Sequence, residues 1–168
     1  MTAAAPVVAK PTGGLAMPGY PDTNRYYEMI HFKMQEVIPP EVFAERGMKS
    51  VELMDWRVLY TLDALWELFN QAAGKRVSVI VNNWVFGGDI KYRGFRPPKC
   101  SIGANFSQHR FGRAADCVSP DVTASWMRQK LLENNRLFPY ITYVEDDVEW
   151  LHFDVRASSF KGIHLFKP

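Results

Sequence analysis

Between Asp55 and Ala73 the apolar side chains Val58, Leu62, Leu65, Trp66 and Phe69 recur at intervals of three and four residues. That spacing predicts a helix with one buried face, and Gly74 supplies its stop. Ahead of it, RYYEMIHFKMQEVI predicts a short helix running from Asn24 until Pro39 and Pro40 end it, with a brief helical turn to follow at EVFAERG. Behind it, Val77-Ser78-Val79-Ile80-Val81 has the β-branched character of a buried strand. A turn at Gly87-Gly88 and an irregular stretch rich in Arg, Gly and Pro come next. A second helix is expected from about Pro120 to Asn134, with Ser119 as candidate cap and Asp121 in its first turn. The chain then reads as strand YITYVE, a turn at Asp146-Asp147, strand VEWLHFDVR and a last short strand, GIHLF. Helices first and hairpin-linked strands last predict an α+β class, with a small, mainly antiparallel sheet packed against helices.

Composition narrows the picture. Three prolines and three glycines fall between Pro11 and Pro21, so residues 1–22 read as an N-terminal arm and 23–168 as a single domain. With 168 residues, 47% apolar and 14% aromatic, the chain can build one sizeable core but not two. Twenty basic residues against 18 acidic leave a formal charge of +2, too little to imply nucleic-acid binding by charge alone. The N-terminal stretch lacks both a basic n-region and an unbroken apolar run, so neither a signal peptide nor a membrane span is expected. Cys100 and Cys117 are the two cysteines, without C-x-x-C spacing. They are expected as reduced thiols rather than as part of a disulfide framework or a structural zinc knot.

The chemistry-bearing residues gather in two short clusters. One is Ser107-Gln108-His109-Arg110-Phe111-Gly112-Arg113-Ala114-Ala115-Asp116, where Gly112 permits a close backbone bend and Ala114 leaves room beside a metal. The other is Glu149-Trp150-Leu151-His152-Phe153-Asp154. A catalytic zinc site needs three ligands of the His and carboxylate type, an open position for water and a nearby base, and these clusters contain such groups. A lone histidine is more often a surface or packed residue than a ligand, so the grouping carries the argument.

The first cluster matches the S-x-H-x-x-G-x-A-x-D motif of the zinc D-alanyl-D-alanine peptidase family, which shares its fold with the hedgehog signalling domain. The second resembles that family's E-x-x-H and W-x-H-x-D element, 33 residues on when counted from Asp116 to Glu149. The likeness covers roughly Val77 to Val155, and the text around it, including VNNWVFGG ahead of YRGFR, resembles phage and prophage members. It implies a hedgehog/DD-peptidase-like fold, with His109, Asp116 and His152 as zinc ligands. It further implies that Glu149 is the base that takes a proton from water and passes it to the leaving amine. Family members also carry an arginine in an S-G-Y-R type segment. Here the segment is Arg93-Gly94-Phe95-Arg96, with Arg in place of Ser, and Arg96 falls at the matching position. Two roles are open to Arg96: clamping a substrate carboxylate through its guanidinium fork, or a structural ion pair.

Residues around the ligands take supporting roles in this reading. Asp154 shares a strand face with His152 and can orient its free ring nitrogen, and Ser107 can serve similarly. Trp150 either lines the substrate groove or packs on the core. Cys117 follows a ligand directly, but alternation points it away from the metal. His31 and His164 read as structural, and Trp56, Trp66 and Trp126 as core. A flat strand would set Glu149 and His152 on opposite faces, so their convergence requires a bulge or turn between them. The expected function is cleavage of a peptide bond in bacterial peptidoglycan by a phage-encoded endolysin or virion-associated enzyme, made in the host cytoplasm and reaching the wall on lysis or on the particle. The alternative is a phage virion structural or binding protein, in contact with other virion proteins, that keeps the fold with little or no turnover.

Overall fold

A computed structural model describes residues 27–168. The predicted arm over 1–22 and the domain start near Asp22 lie outside the described residues. Three helices, α1 (Pro40–Arg46), α2 (Trp56–Ala73) and α3 (Ala124–Glu133), accompany four strands, β1 (Ala114–Cys117), β2 (Tyr143–Glu145), β3 (Leu151–Asp154) and β4 (His164–Phe166). The sheet order is β1-β3-β2-β4. β3 is antiparallel to both neighbours, and β4 joins parallel to β2. The result is mixed helix and sheet of the α+β kind, mainly antiparallel. No helix among the described residues is long and apolar enough to cross a membrane.

Helix α2 forms as its periodicity predicts. The Asp55 side chain accepts the Arg57 amide at its start, and Gly74, at φ +61°, closes its end. Its buried face, with Leu62, Leu65 and Phe69, meets Met127 and Leu131 of α3 and one face of the sheet in a single apolar core. Strand alternation supplies that sheet face: Ala115 and Cys117 on β1, Leu151 and Phe153 on β3, and Val144 on β2. The opposite face carries Asp116, His152 and Asp154, so a single pleat separates core from chemistry.

Three local expectations are corrected. The helix predicted up to Pro39 is, over its described residues, a lone 3-10 turn at Met34–Glu36. Buried Asp63 of α2 takes the backbone N–H groups of Ile30 (2.7 Å) and His31 (2.9 Å) and the Tyr27 hydroxyl (2.9 Å), tying this segment across α2 instead of letting it coil. The stretch Val77–Val81, expected as a buried strand, does bury Val77, Val79 and Val81 but is not a strand. Its amides go to the side chains of Asn70 and Asp121, leaving one bridge, Ile80 with Val118. Helix α3 starts at Ala124, capped by Thr123, not near Pro120. Ser119 instead accepts the Asp121 amide, and Asp121 accepts from Ser78, so both side chains hold non-helical backbone.

Candidate metal centre

The strand register brings two of the residues together: Asp116 on β1 and His152 on β3 are direct cross-strand partners. His109 arrives on the 3-10 turn Gln108–Phe111, which ends at Gly112 with φ +65° before the chain enters β1. A Cβ on Gly112 would lie 1.9 Å from the Leu53 carbonyl oxygen, so only glycine lets this turn seat against the lead-in to α2. Gly112 O in turn accepts the Asp55 amide at 2.9 Å. Thus the apolar packing of α2 and the placement of His109 share one anchor.

All three side chains are buried, with one donor atom of each within 4.8 Å of the others, an arrangement that could hold a metal ion. His109 Nε2 stands 3.2 Å from Asp116 Oδ1 and 3.3 Å from His152 Nδ1, and His152 Nδ1 is 2.7 Å from Asp116 Oδ1. The outer groups decide which atoms face inward. His109 Nδ1 lies 2.8 Å from the Gly94 carbonyl oxygen, which can only accept. Nδ1 therefore carries the proton, and Nε2 of the neutral ring presents a lone pair to the cluster.

Asp116 is held from its other side. Arg96 Nη2 donates to Oδ2 at 2.8 Å, while Arg96 Nε donates to the Tyr92 carbonyl at 2.7 Å and Nη1 reaches Ser107 Oγ at 3.5 Å. Of the two roles open to Arg96, the geometry displays the ion pair. On the far side of His152, Nε2 lies 3.6 Å from Asp154 Oδ2, and Asp154, fully buried, is gripped by the Arg156 guanidinium. That guanidinium lies over the rings of Tyr143 and Phe166, 4.6 Å and 5.7 Å from their centres.

The electrostatics follow from this crowding. Burial alone would raise the Asp116 carboxyl, but the His109 and His152 imidazoles set against it hold it well below the usual carboxylate range. Burial alone would lower His152. The Asp116 hydrogen bond and the Asp154 charge outweigh it and push His152 up to about 9 in the metal-free chain. Asp154 is lowered, because His152 and Arg156 offset its burial. A cation at the centre would take over the charge compensation that the His152 proton supplies without it.

The remaining predicted site residues are placed as follows. Glu149 lies in the bend Asp147–Trp150 that precedes β3, entered through Asp147 at φ +65°, so a turn does intervene between it and His152. Glu149 is exposed and lines a cavity of about 350 Å³ formed with Val118–Ala124 and Met127, to which none of the three clustered residues contributes. Trp150 is half-buried, and its carbonyl accepts from Arg128. Cys117 packs in the apolar core, and both it and Cys100 are free thiols. Outside the cluster, His31 stacks on Trp66 with ring centres 3.8 Å apart, and exposed His164 stacks on Phe160. Trp66 and Trp126 pack against the core, while Trp56 sets its ring edge-on to Tyr140.

Gly94, Arg156 and Arg128 were not anticipated. Arg156 was within reach of the sequence, since two residues after Asp154 on an extended chain it shares that side chain's face. Gly94 signals a close backbone approach, but its partners, Val37 and His109, are remote in sequence. Compared with family models, curated proteins and solved structures, the chain matches none.

Proposed function

We propose that this chain binds one zinc ion through His109, Asp116 and His152 and hydrolyses a peptide bond of bacterial peptidoglycan, as the zinc D-alanyl-D-alanine peptidases that its motifs resemble do. The carrying observation is the convergence of the three side chains, with the Gly94 carbonyl accepting from His109 Nδ1 so that Nε2 of the neutral ring faces the cluster as a lone pair. Two nitrogens held tetrahedrally by one zinc stand about 3.3 Å apart, and His109 Nε2 and His152 Nδ1 are 3.3 Å apart. The pleated sheet with its chemistry on one face is compatible with the hedgehog/DD-peptidase fold that the motifs imply.

Zinc at this position would supply Lewis acidity, polarising the scissile carbonyl and acidifying water to near-neutral pKa. The protein's part is the rest. Arg96 and Ser107 fix Asp116, Gly94 fixes the His109 tautomer, and the Asp154–Arg156 pair orients His152. The Glu149 carboxylate takes the proton from water and returns it to the leaving amine. Arg96 is assigned to holding Asp116 rather than to a substrate carboxylate, because its guanidinium is already engaged there. The resemblance to phage members points to an endolysin or virion-associated enzyme that meets the wall on lysis or on the particle.

One observation favours a second reading, a phage virion component that keeps the metal without turnover: Glu149 lines a cavity that the ligands do not share. Metal analysis of purified protein, together with digestion of purified peptidoglycan and mass spectrometry of the fragments, separates the two. The peptidase reading expects about one zinc per chain and chelator-sensitive cleavage, with Glu149→Gln keeping zinc but losing most turnover. Zinc without cleavage selects the second reading, and absence of both sinks the first.

A further inference from the structure

Arg128 sits on α3, next to Met127 and one turn before Leu131, both fully buried, and is itself 7% exposed. Its guanidinium faces the turn between β2 and β3. Nε donates to the Glu145 carbonyl at 2.9 Å, and Nη2 donates to the carbonyls of Val148 at 3.0 Å and Trp150 at 3.1 Å. It also lies 3.6 Å from the Asp146 carboxylate. The two Nη2 acceptors are the residues immediately before and after Glu149. No other side chain among the described residues donates to the backbone of this turn.

An arginine on the inward face of a helix is costly unless its donors are satisfied, and here the planar fork meets three carbonyls of one irregular segment. Two further ties lie at its near end. They are the Asp146 amide to the Phe166 carbonyl at 2.7 Å and the exposed pair Lys167–Asp147 at 3.1 Å. Between these ties and the entry to β3 at Leu151, the Glu149 side of the turn is held from α3. The same helix, through Thr123, Ala124 and Met127, walls the cavity that Glu149 lines.

We infer that Arg128 is a positioning residue that holds the backbone on both sides of Glu149 and so fixes where its carboxylate stands in the cavity wall. This rests on the reading of Glu149 as the base. Arg128 touches none of His109, Asp116 or His152, so its effect separates from metal binding. A base displaced by about 1 Å loses on the order of 100-fold in rate.

Arg128→Ala strands three carbonyls and risks unfolding, so the test uses Arg128→Lys, which keeps charge and approximate length but cannot span three acceptors as a fork. Arg128→Lys, Glu149→Gln and the double variant are compared on soluble muropeptides, with zinc content and amide exchange of residues 146–150 measured alongside. Arg128→Lys is expected to retain one zinc, to lose about 100-fold in kcat with KM little changed, and to exchange faster at residues 147–150. Added to Glu149→Gln, it should cost less than about twofold, since two residues acting through one group are not additive. An equal loss in both backgrounds, or unchanged exchange in the turn, overturns the inference. Full activity of Glu149→Gln overturns the proposed base instead, and the exchange result still decides whether Arg128 holds the turn.

Discussion

Gly94→Ala tests whether the His109 tautomer is set from outside the cluster. A Cβ at Gly94 would lie 2.1 Å from the Val37 carbonyl oxygen and 2.8 and 2.9 Å from the Val37 carbonyl carbon and Cα. All three are backbone atoms held in place by the Phe95 amide bond to Val37 O at 2.8 Å and by the packing of fully buried Val37 and Ile38. The added methyl cannot displace them cheaply, so residue 94 must retreat by the better part of an ångström and carry its carbonyl away from His109 Nδ1, now 2.8 Å distant. The neutral ring is then free to move its proton to Nε2, which removes the lone pair a metal needs. Loss of such an outer hydrogen bond lowers metal affinity by about 10- to 100-fold, or roughly 1.4–2.8 kcal/mol. Competition titration of zinc against a chromophoric chelator reads the change directly. Gly47→Ala is the control, because Gly47 has a positive φ of +56° but open space around its Cβ. It should cost roughly 1–3 kcal/mol of stability from backbone strain and leave zinc affinity alone. Wild-type zinc affinity in folded Gly94→Ala would refute the tautomer argument.

Other outcomes follow from the same geometry. Because His152 is raised from 6.5 to about 9 without metal, zinc binding must expel a proton below pH 9. The zinc Kd should fall about tenfold per pH unit from 6.5 towards 9 and then level off, whereas a flat profile would contradict it. The same raised pKa stabilises the metal-free fold fully below pH 6.5 and is lost as pH rises through 9, so the Tm of chelated protein should decline across that window. Zinc at 1,000 times its Kd should raise stability by about 4 kcal/mol, seen as a concentration-dependent Tm that excess chelator reverses. Asp63→Ala removes the acceptor for two backbone amides and the Tyr27 hydroxyl. It should lower stability by about 3 kcal/mol in urea titrations, and a loss below 1 kcal/mol would show that the Tyr27–His31 segment does not depend on α2.

How far the chain could be read in advance depended on what holds each segment. Helix α2 was legible because its period, its Asp55 cap and its Gly74 stop are local, and local rules decide a long amphipathic helix. The segments at Tyr27–Lys33 and Val77–Val81 were not. Their amides are claimed by the side chains of Asp63, Asn70 and Asp121, between 7 and 43 residues away, and neither periodicity nor propensity reveals such side-chain partners. Cys117 was readable as facing away from the cluster, since alternation along a strand is local too.

For the candidate site, the sequence by itself determined the identities of His109, Asp116 and His152, their grouping into two short motifs, and the strand alternation that puts His152 and Asp154 on one face. Tertiary structure alone decided that Asp116 and His152 stand opposite each other, because register depends on which strands pair. It also decided that Gly94 sets the His109 proton, that Arg96 is engaged with Asp116, and that Arg128 holds the turn carrying Glu149. Ligand chemistry is a property of side chains and can be read from letters. The outer hydrogen bonds join segments remote in sequence, and folding brings them within reach.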